Sequence, residues 1–254
     1  MNKKVNLYIV GGQKCGTTAL AHFLSQHPEI CIAKGKEVHL FDNPNYQHLT
    51  DEEITKIYSD YFEHYNHEQY LCDATPIYSY RKDIPYKIKK YNPYAKVIMM
   101  VRDPIDRAIS HYMMSINRKE ESNSLLGAFL LESYRLMRYK NDTSWSSPLR
   151  TNSYLDRGNF ITQINNIKNH IREENLLIIH HDDLNNNHQE TLNLIFNFLD
   201  IEMKNINPQE IFIGKYSNIN RVNLYFAKLF AKLKLHKNIK FINKYKSYKS
   251  NPNE

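Results

Sequence analysis

The chain has 254 residues, 41% of them hydrophobic, with a formal net charge of +7 and three cysteines. That length suits one α/β domain of ordinary size, or one domain with a tail, and buries a core without disulfide or metal staples. An odd cysteine count with no C-x-x-C spacing argues against a disulfide framework and a zinc site, and no stretch approaches the roughly 20 apolar residues of a membrane span.

The charge lies at one end. Residues 211–253 hold ten Lys or Arg and no acid, so with Glu254 that end carries +9 and the rest of the chain −2. Basicity therefore describes the C-terminus and says little about the main domain. The apolar run in MNKKVNLYIVGG is too short for a secretory leader. Reduced thiols and a cytoplasmic protein are the expectation, with peripheral contact at the inner membrane face as an option for the basic end.

In chain order, Val5 to Val10 reads as a buried strand and Thr17 to Gln26 as a helix. Between them lie Gly11, Gly12 and Gly16, three of the chain's seven glycines. A strand, a glycine loop and a helix N-terminus in that order suit an anion, because loop amides and the helix dipole converge on one point. The glycines are expected to let backbone approach the anion or take positive φ. Lys14 adds a charge, and Thr17 and Thr18 add hydroxyl donors. The loop departs from a Walker A motif, in which lysine directly follows the last glycine; here Lys14 precedes Gly16.

Next come a short apolar segment and a polar turn in EICIAKGKEVHLFD, then a helix over 51–65 opened by acids. YLCDATPIY begins as a strand and stops at Pro76, and AKVIMMV (95–101) is the clearest buried strand. It runs into RDPIDRAISHY, a turn and a helix opened by Asp103 and Pro104. Residues 119–150 read as helix and loop, 159–171 as helix, 175–184 as strand and 188–200 as amphipathic helix. Strands alternating with helices predict an α/β fold, a P-loop-like three-layer domain with a central parallel sheet flanked by helices. The expected organisation is one domain over 1–220 followed by a basic helix and tail over 221–254.

Arg102 falls at the C-terminal edge of a predicted strand, where open α/β sheets bind ligands, and Ser110 lies two helical turns on. An arginine fork and a hydroxyl suit a phosphate. Arg107 is a further contact, a solvent-facing residue or a partner of Asp103. Ion pairing of Arg102 with Asp103 or Asp106 is the alternative for Arg102.

GGQKCGTTAL and RDPIDRAISHY together, about 85 residues apart, resemble the sulfotransferases that use 3′-phosphoadenosine 5′-phosphosulfate (PAPS). The resemblance implies that Gly12, Gln13, Lys14, Cys15, Gly16, Thr17 and Thr18 hold the 5′-phosphosulfate, with Arg102 and Ser110 on the 3′-phosphate. KEVHLFD resembles the segment of heparan sulfate glucosaminyl sulfotransferases that carries a catalytic glutamate. It implies Glu37 as the base that takes the acceptor's proton, its pKa expected to be raised by burial, with His39 as second choice or as an orienting group and Asp42 nearby. Lys14 then stabilises charge on the leaving oxygen, and no metal is required. Pairing of Glu37 with Lys34 or Lys36 is the plain structural alternative.

The resemblance also has gaps. Where the glycan branch often has a lysine before a Thr-Pro step, CDATPIY has Ala74; Asp73, Thr75 and Tyr78 are candidates to line the acceptor cleft. Gly214, Lys215 and Arg221 are a loose match to a basic loop over the nucleotide, and SYLDRGNF (153–160) a weak match to a segment near the 3′-phosphate or the acceptor. Expected acceptors are a carbohydrate, a glycolipid or a small molecule. Val222, Tyr225, Phe226, Leu229, Phe230 and Leu233 share one helical face, which reads as packing on the domain, as membrane-surface contact or as a dock for an acidic glycan. Nucleic acid is not expected. The rival functions are a P-loop nucleotide kinase or NTPase and a non-catalytic anion-binding protein of the same fold.

Overall fold

A computed structural model describes residues 3–46, 48–209 and 219–246. Five strands, β1 (Leu7–Ile9), β2 (Ile30–Ile32), β3 (Tyr70–Asp73), β4 (Lys96–Val101) and β5 (Leu176–His180), form one sheet in the order β2-β3-β1-β4-β5. Every pairing is parallel, with Leu7 opposite Cys72 and Lys96, and Val101 opposite His180. Parallel neighbours need crossovers, and the helices supply them. The expected parallel α/β sheet flanked by helices is the observed fold.

The helices are α1 (Thr17–Leu24), α2 (Asp51–Tyr61), α3 (Ile84–Tyr91), α4 (Pro104–Asn117), α5 (Leu125–Arg138), α6 (Pro148–Thr151), α7 (Phe160–Lys168), α8 (His181–Asn186), α9 (His188–Leu199) and α10 (Arg221–Ile242). Local chemistry fixes several starts. A capping box between Thr50 and Glu53 opens α2. Asp103 caps α4 by accepting from the amides of Ile105 and Asp106, with Pro104 at the first helical position. The helix α3 has no counterpart in the sequence expectation, because it is short and carries Pro85 in its first turn. The helix expected over 51–65 ends earlier, at Tyr61.

The chain divides into two compact units. The first comprises Met1–Val101, Thr162–Phe212 and Tyr245–Glu254 and holds the whole sheet. Its central strands are apolar on both faces, as a covered parallel sheet requires. Cys15, Cys31 and Cys72 are buried free thiols there.

The second unit comprises Arg102–Ile161 and Ile213–Lys244. Its core joins Ala108, Tyr112, Phe129 and Tyr154 to Ala227, Ala231 and Leu235 of α10. The face of α10 picked out by the sequence is not the one that packs. Val222, Tyr225, Phe226, Leu229 and Leu233 are 47–70% exposed, and only Phe230 of that set lies against the core. Alanines let the helix approach closely through its other side, where bulkier residues would hold it away. No described helix is long and apolar enough to cross a membrane.

Candidate active site

The glycine loop continues the sheet before it turns. Val10 N–H donates to Ile98 O at 2.9 Å and Gly12 N–H to Met100 O at 3.0 Å, so the loop's first residues still pair with β4. This gives Gly11 a different purpose from the expected one. A Cβ at Gly11 would lie 2.4 Å from the Met100 Cβ, so the neighbouring strand excludes any side chain there. Gly16 does take positive φ, at 89°, and a Cβ there would meet the His181 ring at 2.8 Å. His181, the first residue of α8 directly after β5, thus borders the loop; nothing in its local sequence signals this, because the pairing of β5 with β4 brings the start of α8 there. No side chain caps α1. The N–H groups of its first turn have no intrahelical partners, an arrangement that holds anions. Lys14 takes a left-handed backbone, φ 70°, within this loop.

The segment after β2 carries the acid–base groups. Glu37, His39 and Asp42 lie together in a defined order. His39 Nδ1 lies 3.1 Å from both Asp42 carboxylate oxygens, and its Nε2 lies 3.2 Å from Glu37 Oε2. Asp42 is buried. Burial opposes charge on His39, but the hydrogen bonds to Asp42 and Glu37 outweigh it and raise its pKa from 6.5 to about 9. His39 is therefore an imidazolium at neutral pH, held between two carboxylates.

Glu37 differs from the expectation of a raised pKa. Burial does push it upward, but the hydrogen bond from His39 and the nearby charge of Lys36 win, and its pKa falls below 4.5. Lys36 Nζ donates to Glu37 Oε1 at 2.7 Å. Lys34 pairs instead with Glu63, at 3.6 Å between exposed side chains.

Asp73, Thr75 and Tyr78 do not line a cleft; all three are fully buried. They form a platform under the Glu37–Asp42 segment. Asp73 accepts from Thr75 Oγ1 at 2.6 Å, Tyr58 OH at 2.9 Å and Tyr78 OH at 3.1 Å. Thr75 Oγ1 then accepts from Val38 N–H, and Tyr78 OH from Leu40 N–H. Desolvation raises the Asp73 pKa to about 6 despite these donors. Asp73, Thr75, Tyr58 and Tyr78 each have a partner, so the segment is held in one shape.

The second unit carries the other expected contacts. Arg102 directly follows β4 and is half-buried, and Ser110 lies on the buried side of α4. Asp103 is the cap of that helix, a role that occupies its carboxylate. Arg107 is neither solvent-facing nor a partner in an ion pair with Asp103; it is fully buried, and its Nη2 donates to the Tyr154 carbonyl. Arg157, within SYLDRGNF, donates to Ser153 Oγ and to the carbonyls of Leu149 and Arg150. Gly214 and Lys215 lie outside the described residues, and Arg221 is the exposed first residue of α10.

A family model described as the sulfotransferase domain matches residues 5–249. Among curated proteins, heparan sulfate glucosamine 3-O-sulfotransferase 3A1 of Mus musculus is 30% identical over 145 residues, covering 55% of this chain and 33% of its own. Heparan sulfate glucosamine 3-O-sulfotransferase 5 of Homo sapiens is 33% identical over 116 residues, covering 45% of this chain and 32% of its own. The match thus spans about a third of the length of these relatives. Among solved structures, a sulfotransferase from Alicyclobacillus acidocaldarius superposes with a TM-score of 0.74 at 22% identity, covering 95% of this chain and 96% of that one, a likeness of fold. With a strand–loop–helix suited to an anion and a family match running almost end to end, the chain belongs to the sulfotransferase domain family.

Proposed function

We propose that this chain transfers a sulfuryl group from PAPS to a hydroxyl or amine of a carbohydrate or glycolipid acceptor. Glu37 takes the acceptor's proton as the acceptor atom bonds to sulfur. The bond from sulfur to the 5′-phosphate oxygen breaks, and its electron pair leaves with 3′,5′-ADP. Gly12 to Thr18 bind the 5′-phosphosulfate and Lys14 stabilises charge on the leaving oxygen. Arg102 and Ser110 are assigned to the 3′-phosphate.

The observation that carries the reading is the proximity of the ionised Glu37 to the anion loop. One side chain, Lys36, touches both the Glu37 carboxylate and the Thr17 hydroxyl. His39 serves as the orienting cation, because at neutral pH it has no lone pair left to accept a proton. A carbohydrate acceptor is supported by the heparan sulfate glucosamine 3-O-sulfotransferases among the relatives, and the basic α10 is assigned to contact with an anionic surface.

Calorimetry with 3′,5′-ADP, PAPS and Mg-ATP tests the donor. The two 3′-phosphorylated nucleotides should bind without metal, and Arg102→Ala should weaken both by about tenfold or more. Binding of Mg-ATP alone would assign the loop to a kinase-like site and overturn the reading.

A further inference from the structure

Lys36 is held with more care than a surface lysine needs. Its backbone takes φ 69°, a left-handed conformation that side chains with a Cβ resist. Its N–H donates to Ala33 O at 2.8 Å and its carbonyl accepts from Ala74 N–H at 3.1 Å, which fixes the residue against the end of β3. The side chain is only 16% exposed. Its ammonium lies 3.3 Å from Thr17 Oγ1, in the first turn of α1, and 2.7 Å from Glu37 Oε1. Six described non-glycine residues have positive φ; Lys14, Lys36 and His39 belong to this region, and His67, Lys119 and Asp200 lie elsewhere.

The electrostatics give the arrangement a purpose. A carboxylate base placed beside an anionic sulfuryl donor repels the group it must help to transfer. A cation between them removes that repulsion. An ammonium carries three N–H donors, and Lys36 spends two on Glu37 and Thr17, leaving the third for a sulfuryl oxygen.

We propose that Lys36 is a catalytic residue, whose ammonium binds a sulfuryl oxygen of the donor beside Thr17 and bridges it to the Glu37 carboxylate. This rests on the sulfuryl-transfer reading above and names a second donor-contacting lysine besides Lys14. The contact is to the sulfuryl group alone, so it separates two ligands that otherwise match. PAPS carries that group and 3′,5′-ADP does not.

The experiment compares calorimetric affinities of both nucleotides for wild type, Lys36→Met, Lys36→Asn and Lys36→Arg. Asparagine tolerates a left-handed backbone, so it removes the ammonium while keeping the fold even where methionine fails to. Lys36→Asn should bind 3′,5′-ADP within about twofold of wild type and PAPS about tenfold more weakly, the effect of losing one charge-assisted hydrogen bond. Lys36→Arg should retain part of the preference for PAPS. Equal weakening of both nucleotides would reduce Lys36 to a structural role, and unchanged affinities would remove it from the donor site; either overturns the proposal. A wild type that binds neither nucleotide overturns the sulfuryl-transfer reading itself, and the proposal with it.

Discussion

His39 Nε2 lies 3.2 Å from Glu37 Oε2, and the opposite ring nitrogen lies 3.1 Å from both oxygens of Asp42. One imidazolium thus couples the proposed base to a buried carboxylate. The base is consequently aimed and kept ionised, at the cost of intrinsic basicity. Transfer to an acceptor then depends on geometry more than on a raised pKa.

Asp42→Asn should lower the His39 titration midpoint from about 9 by at least one unit, read by NMR of the ring protons. The same coupling makes stability depend on pH. The folded pKa of His39 is raised from 6.5 to about 9, so its stabilisation is complete below about pH 6.5 and is lost as pH rises through about 9. The thermal midpoint of wild type should therefore fall over that window, and His39→Asn should flatten the fall.

Glu37→Gln should keep the fold and nucleotide binding while reducing sulfuryl transfer by about 10²- to 10⁴-fold. Because the Glu37 pKa is held below 4.5, its protonation should not limit the rate at pH 6. A wild-type rate that collapses between pH 7 and 6 would assign the base to another group.

Tyr78→Phe removes the hydroxyl that accepts from Leu40 N–H at 2.9 Å and donates to Asp73 at 3.1 Å. A buried N–H is left without that partner, which should cost about 1–3 kcal/mol in urea unfolding. Activity should fall as well, since the residues between Glu37 and Asp42 hang from this platform. Full activity in a destabilised variant would separate the platform from catalysis.

Much of this was legible from local signals. The apolar runs of β1 and β4, the glycine loop and Asp103–Pro104 mark their elements through short-range chemistry. So does the grouping of Glu37, His39 and Asp42, which lie within six positions in the chain. What stayed hidden depends on partners distant in sequence. Asp73, Thr75 and Tyr78 look like cleft residues until Tyr58 and the amides of Val38 and Leu40 are brought onto them. The Glu37 pKa turns on Lys36 and His39 more than on burial. The purpose of Gly11 appears only when Met100 lies alongside it.

Two glycines should respond differently to alanine for that reason. At Gly35, φ is 79° and no atom lies within 4 Å of the added Cβ, so only the backbone resists, by about 1 kcal/mol. At Gly11 the added Cβ meets Met100 backbone and Cβ at 2.4–2.8 Å, so β1 and β4 must part. Gly11→Ala should cost about 3 kcal/mol or more by chemical unfolding. Similar costs at both positions would show that the loop yields without disturbing the sheet.

The packing of α10 offers a comparison within the second unit. Ala231 is fully buried against its core, whereas Leu233, two residues on, is 70% exposed. Ala231→Leu should overpack the contact and destabilise by about 1–3 kcal/mol, while Leu233→Gln should stay within about 0.5 kcal/mol of wild type. The apolar pattern alone argues for the reverse, because it puts the leucine inside. If Leu233→Gln is the damaging change, α10 packs through the face its pattern suggests and the alanine face is the solvated one.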